Sequence, residues 1–443
     1  MRFPDKRLTI LLGGLAFALS WVPDNAPAAL AKSVQPSHST GAIDFSALSP
    51  SARSASLTRG LTLLAKGDLS GAEKALRESI KLDPALAEAF LALAEIRLRQ
   101  GKPAEAEGFV RQAMAIRPES PNILVALGNV LLRGKNGAQA EFLYRKALAI
   151  DKDHVSAYMG LGELYLRVLG KPKESVIAFS RAVALNPKLA SAHFALGTAY
   201  ASAKQPDEAI AAFQAAARVE PTNPQPSHAI GRLQASEKKL DLAVSSFSAA
   251  LAADANYLPA LVDRADALAE LQRNPEAVAD YASAVGKLPE DAQLWLKLGL
   301  INQRLQRKSD AVKSYQKALS LNPSLPLAYN NLAWLAMEEK KNLDQALAWS
   351  IKATALAPDV PQFQDTLGWI YRARGDLERS RKALETATRI PPPQADVHYH
   401  LGIVLEEQGK KKEAEAAIRE ALRIDKGFGN ATDAEKRLRE LTK

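Results

Sequence analysis

The chain of 443 residues contains no cysteine, and this absence removes several classes of protein at once. Without a thiol there is no disulfide framework, no thiolate nucleophile, no cysteine-ligated zinc and no lipid attached through cysteine. A chain of this kind is compatible with an oxidising compartment, since it has nothing there to oxidise into a wrong disulfide.

Aromatic residues are also scarce, at 6% of the chain, and runs of β-branched residues are few. Alanine and leucine dominate instead, which is a helical composition. Hydrophobic residues make up 47% of the chain, which is enough for a continuous core. We therefore predict an all-α protein.

A strong charge of one sign is missing too, because the net charge of +9 is spread along the whole chain. Short basic clusters such as Lys410-Lys411-Lys412 are typical of solvated loops. No dense lysine and arginine stripe with interleaved aromatic residues occurs, so we expect no nucleic-acid partner.

The common catalytic motifs are absent as well. The sequence has no glycine-rich phosphate loop, no G-x-S-x-G and no H-E-x-x-H. His398 and His400 are two apart and would point away from each other on a helix. Asp263, Asp266 and Glu270 share a helix face, where a solvated acidic patch is favoured over a cation site. We predict no enzyme activity, no cofactor and no metal.

The N-terminus has the pattern of an export signal. Basic residues in MRFPDKR precede an apolar run over residues 8–22, and two small-x-small sites end at Ala28 and Ala31. The run is short for a membrane span. Residues 1–31 are therefore predicted to be a signal peptide, and residues 32–52, rich in Ser, Ala and Pro, a flexible tether.

This signal predicts a periplasmic or secreted protein, if the source is a bacterium. The alternative is an uncleaved signal that anchors the chain in the inner membrane, facing the periplasm. Membrane contact would then occur only through that signal.

What the chain does contain is a repeat of about 34 residues. Small residues recur at its eighth, twentieth and twenty-seventh positions, and proline recurs near the thirty-second. Large residues fill the seventh and twenty-fourth positions. Two rows carry one extra residue, near Leu169-Gly170 and near Lys340-Asn342. The eighth position is occupied by Gly60, Ala94, Gly128, Gly162, Gly197, Gly231, Ala265, Gly299, Ala333, Gly368 and Gly402.

This pattern describes pairs of helices in close contact. Two antiparallel helices approach closely only where side chains are small, and a proline without an N–H ends the second helix. The pattern resembles the tetratricopeptide-repeat (TPR) family over residues 53–428. That resemblance implies a right-handed α-α solenoid of about eleven helix pairs, and residues 429–443 are predicted to form a polar capping helix.

The resemblance also implies a binding surface, because in this family the first helix of each repeat lines the concave face. In repeats eight to eleven this face carries two tryptophans in successive repeats, which are typical of protein contacts. The alternative, that these rings pack between neighbouring first helices, stays open. The candidate partner-binding residues are Leu296, Leu300, Arg304, Asn330, Trp334, Met337, Asp365, Trp369, Arg372 and Tyr399.

A two-carboxylate clamp, known in this family, requires Lys and Asn where Leu296 and Leu300 stand, and basic residues where Gln362 and Thr366 stand. We therefore do not expect that clamp.

A second resemblance covers residues 329–376 only. The runs YNNLAWLAMEEKKNLDQALAW and FQDTLGWIYRARGD resemble the terminal repeats of bacterial envelope TPR proteins tied to exopolysaccharide assembly and export. We predict an exported scaffold that holds protein partners in a cell-envelope complex. The alternative is a carbohydrate- or peptidoglycan-binding module that uses the aromatic face. Self-association through the ends of the solenoid stays open.

Overall fold

The computed structural model describes residues 55–340 and 342–442, which form 23 α-helices and no β-strand. The described residues divide into two compact units, an N-terminal unit up to Ala260 and a C-terminal unit from Leu261. The predicted signal peptide (1–31) and tether (32–52) lie outside the described residues.

The N-terminal unit consists of six helix pairs. In each pair an odd-numbered first helix is followed by an even-numbered second helix. The bounds are α1 Ala55–Ala65, α2 Leu69–Leu82, α3 Ala87–Arg99, α4 Pro103–Ile116, α5 Pro121–Arg133, α6 Gly137–Ile150, α7 Val155–Glu163, α8 Pro172–Leu185, α9 Ala190–Ser202, α10 Pro206–Val219, α11 Gln225–Ser236 and α12 Leu240–Ala253.

The C-terminal unit continues the same alternation, beginning within α13, and ends on an unpaired helix. The bounds are α13 Leu258–Glu270, α14 Asn274–Lys287, α15 Ala292–Arg304, α16 Lys308–Leu321, α17 Pro326–Glu338, α18 Leu343–Leu356, α19 Pro361–Ala373, α20 Leu377–Arg389, α21 Ala395–Glu407, α22 Lys411–Ile424 and α23 Ala431–Leu441.

Local sequence sets these helix boundaries. Several helices begin with proline at the first helical position, where its missing N–H costs nothing, as Pro103 and Pro206 do. Other starts are capped by a side chain, since Asp68 accepts a hydrogen bond of 2.9 Å from the Gly71 amide. Where the proline recurs, the second helix ends before it: α2 ends at Leu82, Asp83 is its C-cap residue, and Pro84 follows.

The contact between the two helices of a pair depends on the small residue at the eighth position. A Cβ added at Gly197 would lie 2.6 Å from the Phe213 ring, and one added at Gly231 would lie 2.5 Å from the Phe247 ring. The large side chain at the twenty-fourth position therefore occupies the space that the glycine leaves open. This packing confirms the prediction of an all-α solenoid of helix pairs.

Serine replaces alanine at the twentieth position in two repeats, and each serine adds a hydrogen bond within its pair. Ser175 Oγ donates to the Gly162 carbonyl and Ser380 Oγ donates to the Gly368 carbonyl, both at 2.8 Å. Both serines are fully buried, so these bonds satisfy hydroxyls that would otherwise be costly to bury.

The extra residue predicted near Leu169-Gly170 is absorbed by a π-helical segment, Leu164–Val168, which continues α7. The Leu169 amide bonds to the Leu164 carbonyl at 3.1 Å, a spacing of five residues. One wide turn of this kind accommodates an inserted residue without breaking the helix.

The last helix, α23, packs against α22. Its Ala434 is fully buried, and Leu438 and Leu441 lie against the apolar cluster that contains Tyr399 and Phe428. The helix thus covers an apolar surface at the end of the described chain.

Candidate functional site

The ten candidate residues lie on the first helices α15, α17, α19 and α21 of the C-terminal unit. Helix α17 contacts α19, and α19 contacts α21, so the equivalent positions of neighbouring repeats come together. We call the surface formed by the ten residues the C-terminal first-helix surface.

Most of these side chains are buried. Four are only partly buried, namely Arg304, Trp334, Met337 and Arg372. In particular, Trp369 is 8% exposed, which agrees with the packing alternative for this tryptophan. The Tyr399 side chain is 4% exposed. The six buried residues are Leu296, Leu300, Asn330, Asp365, Trp369 and Tyr399.

The repeat-eight residues serve the packing of the repeats. Leu296 and Leu300 belong to an apolar cluster with Tyr315 and Leu332. Arg304 donates through Nη1 to the Ala269 carbonyl, 2.9 Å away and one repeat earlier. The structure therefore gives all three a role within the array, and a contact with a partner stays a prediction for them.

Trp369 lies in a buried cluster with His400 and Asp365 and does not form an exposed aromatic face. Its ring meets His400 edge-on, with centroids 4.7 Å apart. His400 is fully buried and its Nδ1 lies 2.6 Å from Asp365 Oδ1. Arg372 stacks over the Trp369 ring at 4.5 Å and pairs with Glu407. A cation above an indole face adds attraction to this packing.

Sequence analysis considered His400 only as a metal ligand and did not predict its contacts with Asp365 and Trp369. His400 occupies the sixth position of its repeat, and polar residues at the sixth position reach back to the preceding repeat elsewhere in this unit. Lys297 Nζ bonds to Asp266 at 2.7 Å, and Asn331 Nδ2 donates to the Tyr315 hydroxyl at 3.1 Å. A polar residue at the sixth position was therefore the feature of the sequence that could have indicated a contact with the preceding repeat.

A chain of side-chain hydrogen bonds connects Gln303 of repeat eight with Asn330 of repeat nine. The Tyr315 hydroxyl donates a hydrogen bond of 2.7 Å to Gln303 Oε1 and accepts one from Asn331 Nδ2. Asn330 Nδ2 lies 3.4 Å from Asn331 Oδ1. Asn330 Oδ1 accepts no hydrogen bond from the described residues, although this side chain is 4% exposed.

The surface ends at the last helix. The Tyr399 hydroxyl donates to Asp433 of α23, and Arg437 pairs with Asp433 and Glu406, both at 2.7 Å. Burial and the bond to Asp433 raise the pKa of Tyr399 to about 12. The bond from Tyr399 in turn lowers the pKa of Asp433.

On the acidic face of α13, Asp266 has partners that the sequence did not indicate. Asp266 accepts hydrogen bonds from Lys297 Nζ and from the Tyr281 hydroxyl, so its charge is compensated within the fold. No three metal-ligating side chains gather anywhere in residues 55–340 and 342–442. None of the helices described there combines the length and the apolar sequence that a membrane span needs.

Comparison with known proteins agrees with the helix pairs. The model of the tetratricopeptide repeat matches residues 57–121, 125–190, 166–226, 194–257, 262–326, 296–361 and 366–427.

Individual relatives share only part of their length with this chain. A TPR repeat-containing protein of Pseudomonas aeruginosa is 24% identical over 138 residues, which are 31% of this chain and 23% of that protein. A general transcriptional corepressor of Dictyostelium discoideum is 28% identical over 155 residues, which are 34% of this chain and 11% of that protein.

Among solved structures, a tetratricopeptide repeat protein from Parabacteroides merdae has a TM-score of 0.45 at 20% identity, covering 57% of this chain and 99% of that one. The repeat model, in contrast, covers most of the described residues in both units. The chain therefore belongs to the tetratricopeptide-repeat family.

Proposed function

We propose that this protein is an exported, non-catalytic scaffold of a bacterial cell envelope that holds a protein partner on its C-terminal first-helix surface. Tetratricopeptide repeats generally mediate protein-protein contacts. The observation that carries the choice of surface is the Asn330 carboxamide, a buried acceptor with no donor within the described residues.

A buried acceptor left without a hydrogen bond costs about 1–3 kcal/mol. A donor from a bound chain, such as a main-chain N–H, would recover this energy once the Asn330 side chain rotates toward the surface. Trp334 lies one turn further along α17 on the same face and is partly exposed, as is Met337. An indole ring, a flexible thioether and a vacant acceptor together suit a polypeptide partner.

The cell-envelope setting rests on sequence. The pattern of residues 1–31 supports export, and the resemblance over residues 329–376 supports a place in exopolysaccharide assembly or secretion. Proteins are therefore the first class of partner in this proposal.

A glycan-binding role has weaker support. Sugar rings stack on exposed aromatic faces, and the buried Trp369 and Tyr399 leave Trp334 as the one partly exposed ring of the three. A single ring of this kind does not form the extended aromatic platform that the alternative required.

The test is a crosslinking pull-down from the envelope fraction, with the mature chain beside a Trp334→Ala variant. We expect defined proteins to be captured by the mature chain and lost with Trp334→Ala, because truncation of a central tryptophan typically costs 2 kcal/mol or more of binding, about 30-fold. Trp369 is left intact, since its removal would disturb the packing around His400.

Trp349→Ala is the matched control. Trp349 is also a partly buried tryptophan of repeat nine, but it lies on the second helix α18. Capture that survives in Trp334→Ala, or that is lost equally in Trp349→Ala, would refute this binding surface. Absence of the chain from the envelope fraction would refute the setting.

A further inference from the structure

A cavity of about 180 Å³ lies in the N-terminal unit between α5 and the end of α7. An engineered cavity of about 150 Å³ holds benzene, so this one has room for one side chain. Its lining is Asn129, Leu132, Arg133, Glu163, Arg167 and Val168.

The π-helical segment shapes one wall of this cavity. Arg167 and Val168 are its last two residues, and the inserted residue puts the left-handed loop position at Gly170, φ +61°. In the preceding repeat the equivalent left-handed residue, Lys135, lies two residues after Arg133. The wall is therefore a consequence of the insertion.

The guanidinium groups of Arg133 and Arg167 form no hydrogen bond to the preceding repeat within the described residues. First helices carry arginine at this same thirteenth position in other repeats, where it ties one repeat to the one before. Arg99 donates to the Leu64 carbonyl at 3.2 Å, and Arg304 donates to the Ala269 carbonyl at 2.9 Å.

Arg133 and Arg167 make no such bond to any described residue. Arg133 is exposed and has no ion pair there, and the contact of Arg167 with Glu163 is 3.7 Å long. With two guanidiniums and one carboxylate, the lining keeps an excess of positive charge.

Asn129 supplies a further donor. Its side chain is 6% exposed, and its Oδ1 accepts a hydrogen bond of 2.7 Å from the Tyr144 hydroxyl. Burial raises the pKa of Tyr144, so the phenol keeps its proton and donates. This bond orients the amide, and its Nδ2 donates to no described residue, which leaves the NH₂ group available.

Donors of this kind beside apolar walls fit a carboxylate on a short aliphatic stem. Arginine binds carboxylates through two parallel hydrogen bonds, and Leu132 and Val168 offer methyl groups to the methylenes of such a stem. The lining has no aromatic ring on which a sugar could stack.

We propose that this cavity binds a glutamate side chain of a partner polypeptide, held by Arg133, Arg167 and Asn129. The site is distinct from the C-terminal first-helix surface and goes beyond the function proposed for it. It would give the N-terminal unit its own contact with acidic segments of a partner.

The test measures how strongly the immobilised full chain retains two pools of short peptides at low salt. One pool has a central glutamate and the other has glutamine in its place. We expect the glutamate pool to be retained about tenfold more strongly, and this preference to disappear in Arg133→Gln and, separately, in Arg167→Gln. Deletion of Leu169, which restores the ordinary spacing while keeping both arginines, should also abolish it.

Arg111→Gln is the control, because Arg111 is an exposed arginine of the same unit that pairs with Glu107. It should keep the preference, as should Trp334→Ala, which tests the other surface. Equal retention of both pools by the unaltered chain would overturn the proposal. Loss of the preference in Arg111→Gln would show that the preference reflects general charge attraction and not this cavity. Stronger retention of a uronic-acid oligomer than of the glutamate pool would assign the cavity to an acidic glycan instead.

Discussion

At the scale of single residues, the glycines of the eighth position decide how closely two helices approach. Gly231→Ala would place a methyl group 2.5 Å from the Phe247 ring, and the ring is fully buried and has no room to move. We expect a loss of about 1–3 kcal/mol in the free energy of unfolding, as for other overpacked cores. Urea denaturation followed by circular dichroism measures it.

Gly108→Ala is the matched control for this prediction. Gly108 also lies within a helix of the N-terminal unit, but a Cβ added there meets nothing within 4 Å. Alanine should therefore stabilise the helix by up to about 1 kcal/mol. Equal effects of the two substitutions, in either direction, would contradict the packing role assigned to the eighth position.

Residue patterns predicted the core better than the candidate site. The small residue at the eighth position and the large residue at the twenty-fourth position could both be predicted from the sequence, because each recurs in most repeats. The burial of Trp369 was not readable, since a ninth-position side chain faces the neighbouring first helix and its exposure depends on what that helix carries. His400 and Asp365 supply that neighbourhood here.

At the scale of helices, the two inserted residues are absorbed in different ways. The one near Leu169 widens a helix into a π turn, whereas the one near Asn342 lies in the loop between α17 and α18. There Asn342 adopts φ +48° and caps α18 by accepting from the Gln345 amide at 3.1 Å. Asparagine tolerates this left-handed conformation better than most residues, so the loop takes up the extra residue without altering a helix.

The docking of α23 on α21 should weaken at high pH. The folded-state pKa of Tyr399 is about 12, above the value of about 10 for an exposed tyrosine. The stability that this group contributes is therefore complete below pH 10 and is lost as the pH rises toward 12, because the unfolded chain releases the proton first.

Tyr399→Phe tests this linkage. We expect the free energy of unfolding of the unaltered chain to fall more steeply between pH 9.5 and pH 11.5 than that of the variant, because the variant has no hydroxyl to titrate at position 399. Urea denaturation across this range measures both slopes. A variant that is as steep as the unaltered chain would show that the bond from Tyr399 to Asp433 does not carry the pH dependence.

At the scale of the molecule, stability in a repeat array is a sum of local terms, because each repeat packs on its neighbours in sequence. The two compact units should therefore not unfold as one. Four tryptophans, Trp295, Trp334, Trp349 and Trp369, lie in the C-terminal unit, and the N-terminal unit has none among its described residues. Tryptophan fluorescence thus reports on one unit, whereas circular dichroism reports on the helices of both.

We expect the urea transitions seen by these two signals to differ in midpoint or in slope. A Trp21→Phe variant removes the remaining tryptophan of the chain, so that the fluorescence belongs to the C-terminal unit alone. Coincident transitions would show that the chain unfolds cooperatively as a single unit.

The sequence by itself determined the helical class, the pairing of helices, the number of repeats and the family, because the spacing of small residues and prolines is a local property repeated along the chain. Tertiary structure alone decided which candidate side chains are buried, that Asn330 keeps a vacant acceptor, and that Arg133 and Arg167 meet at a cavity. These depend on contacts between repeats, where one inserted residue or one neighbouring side chain changes what each position faces.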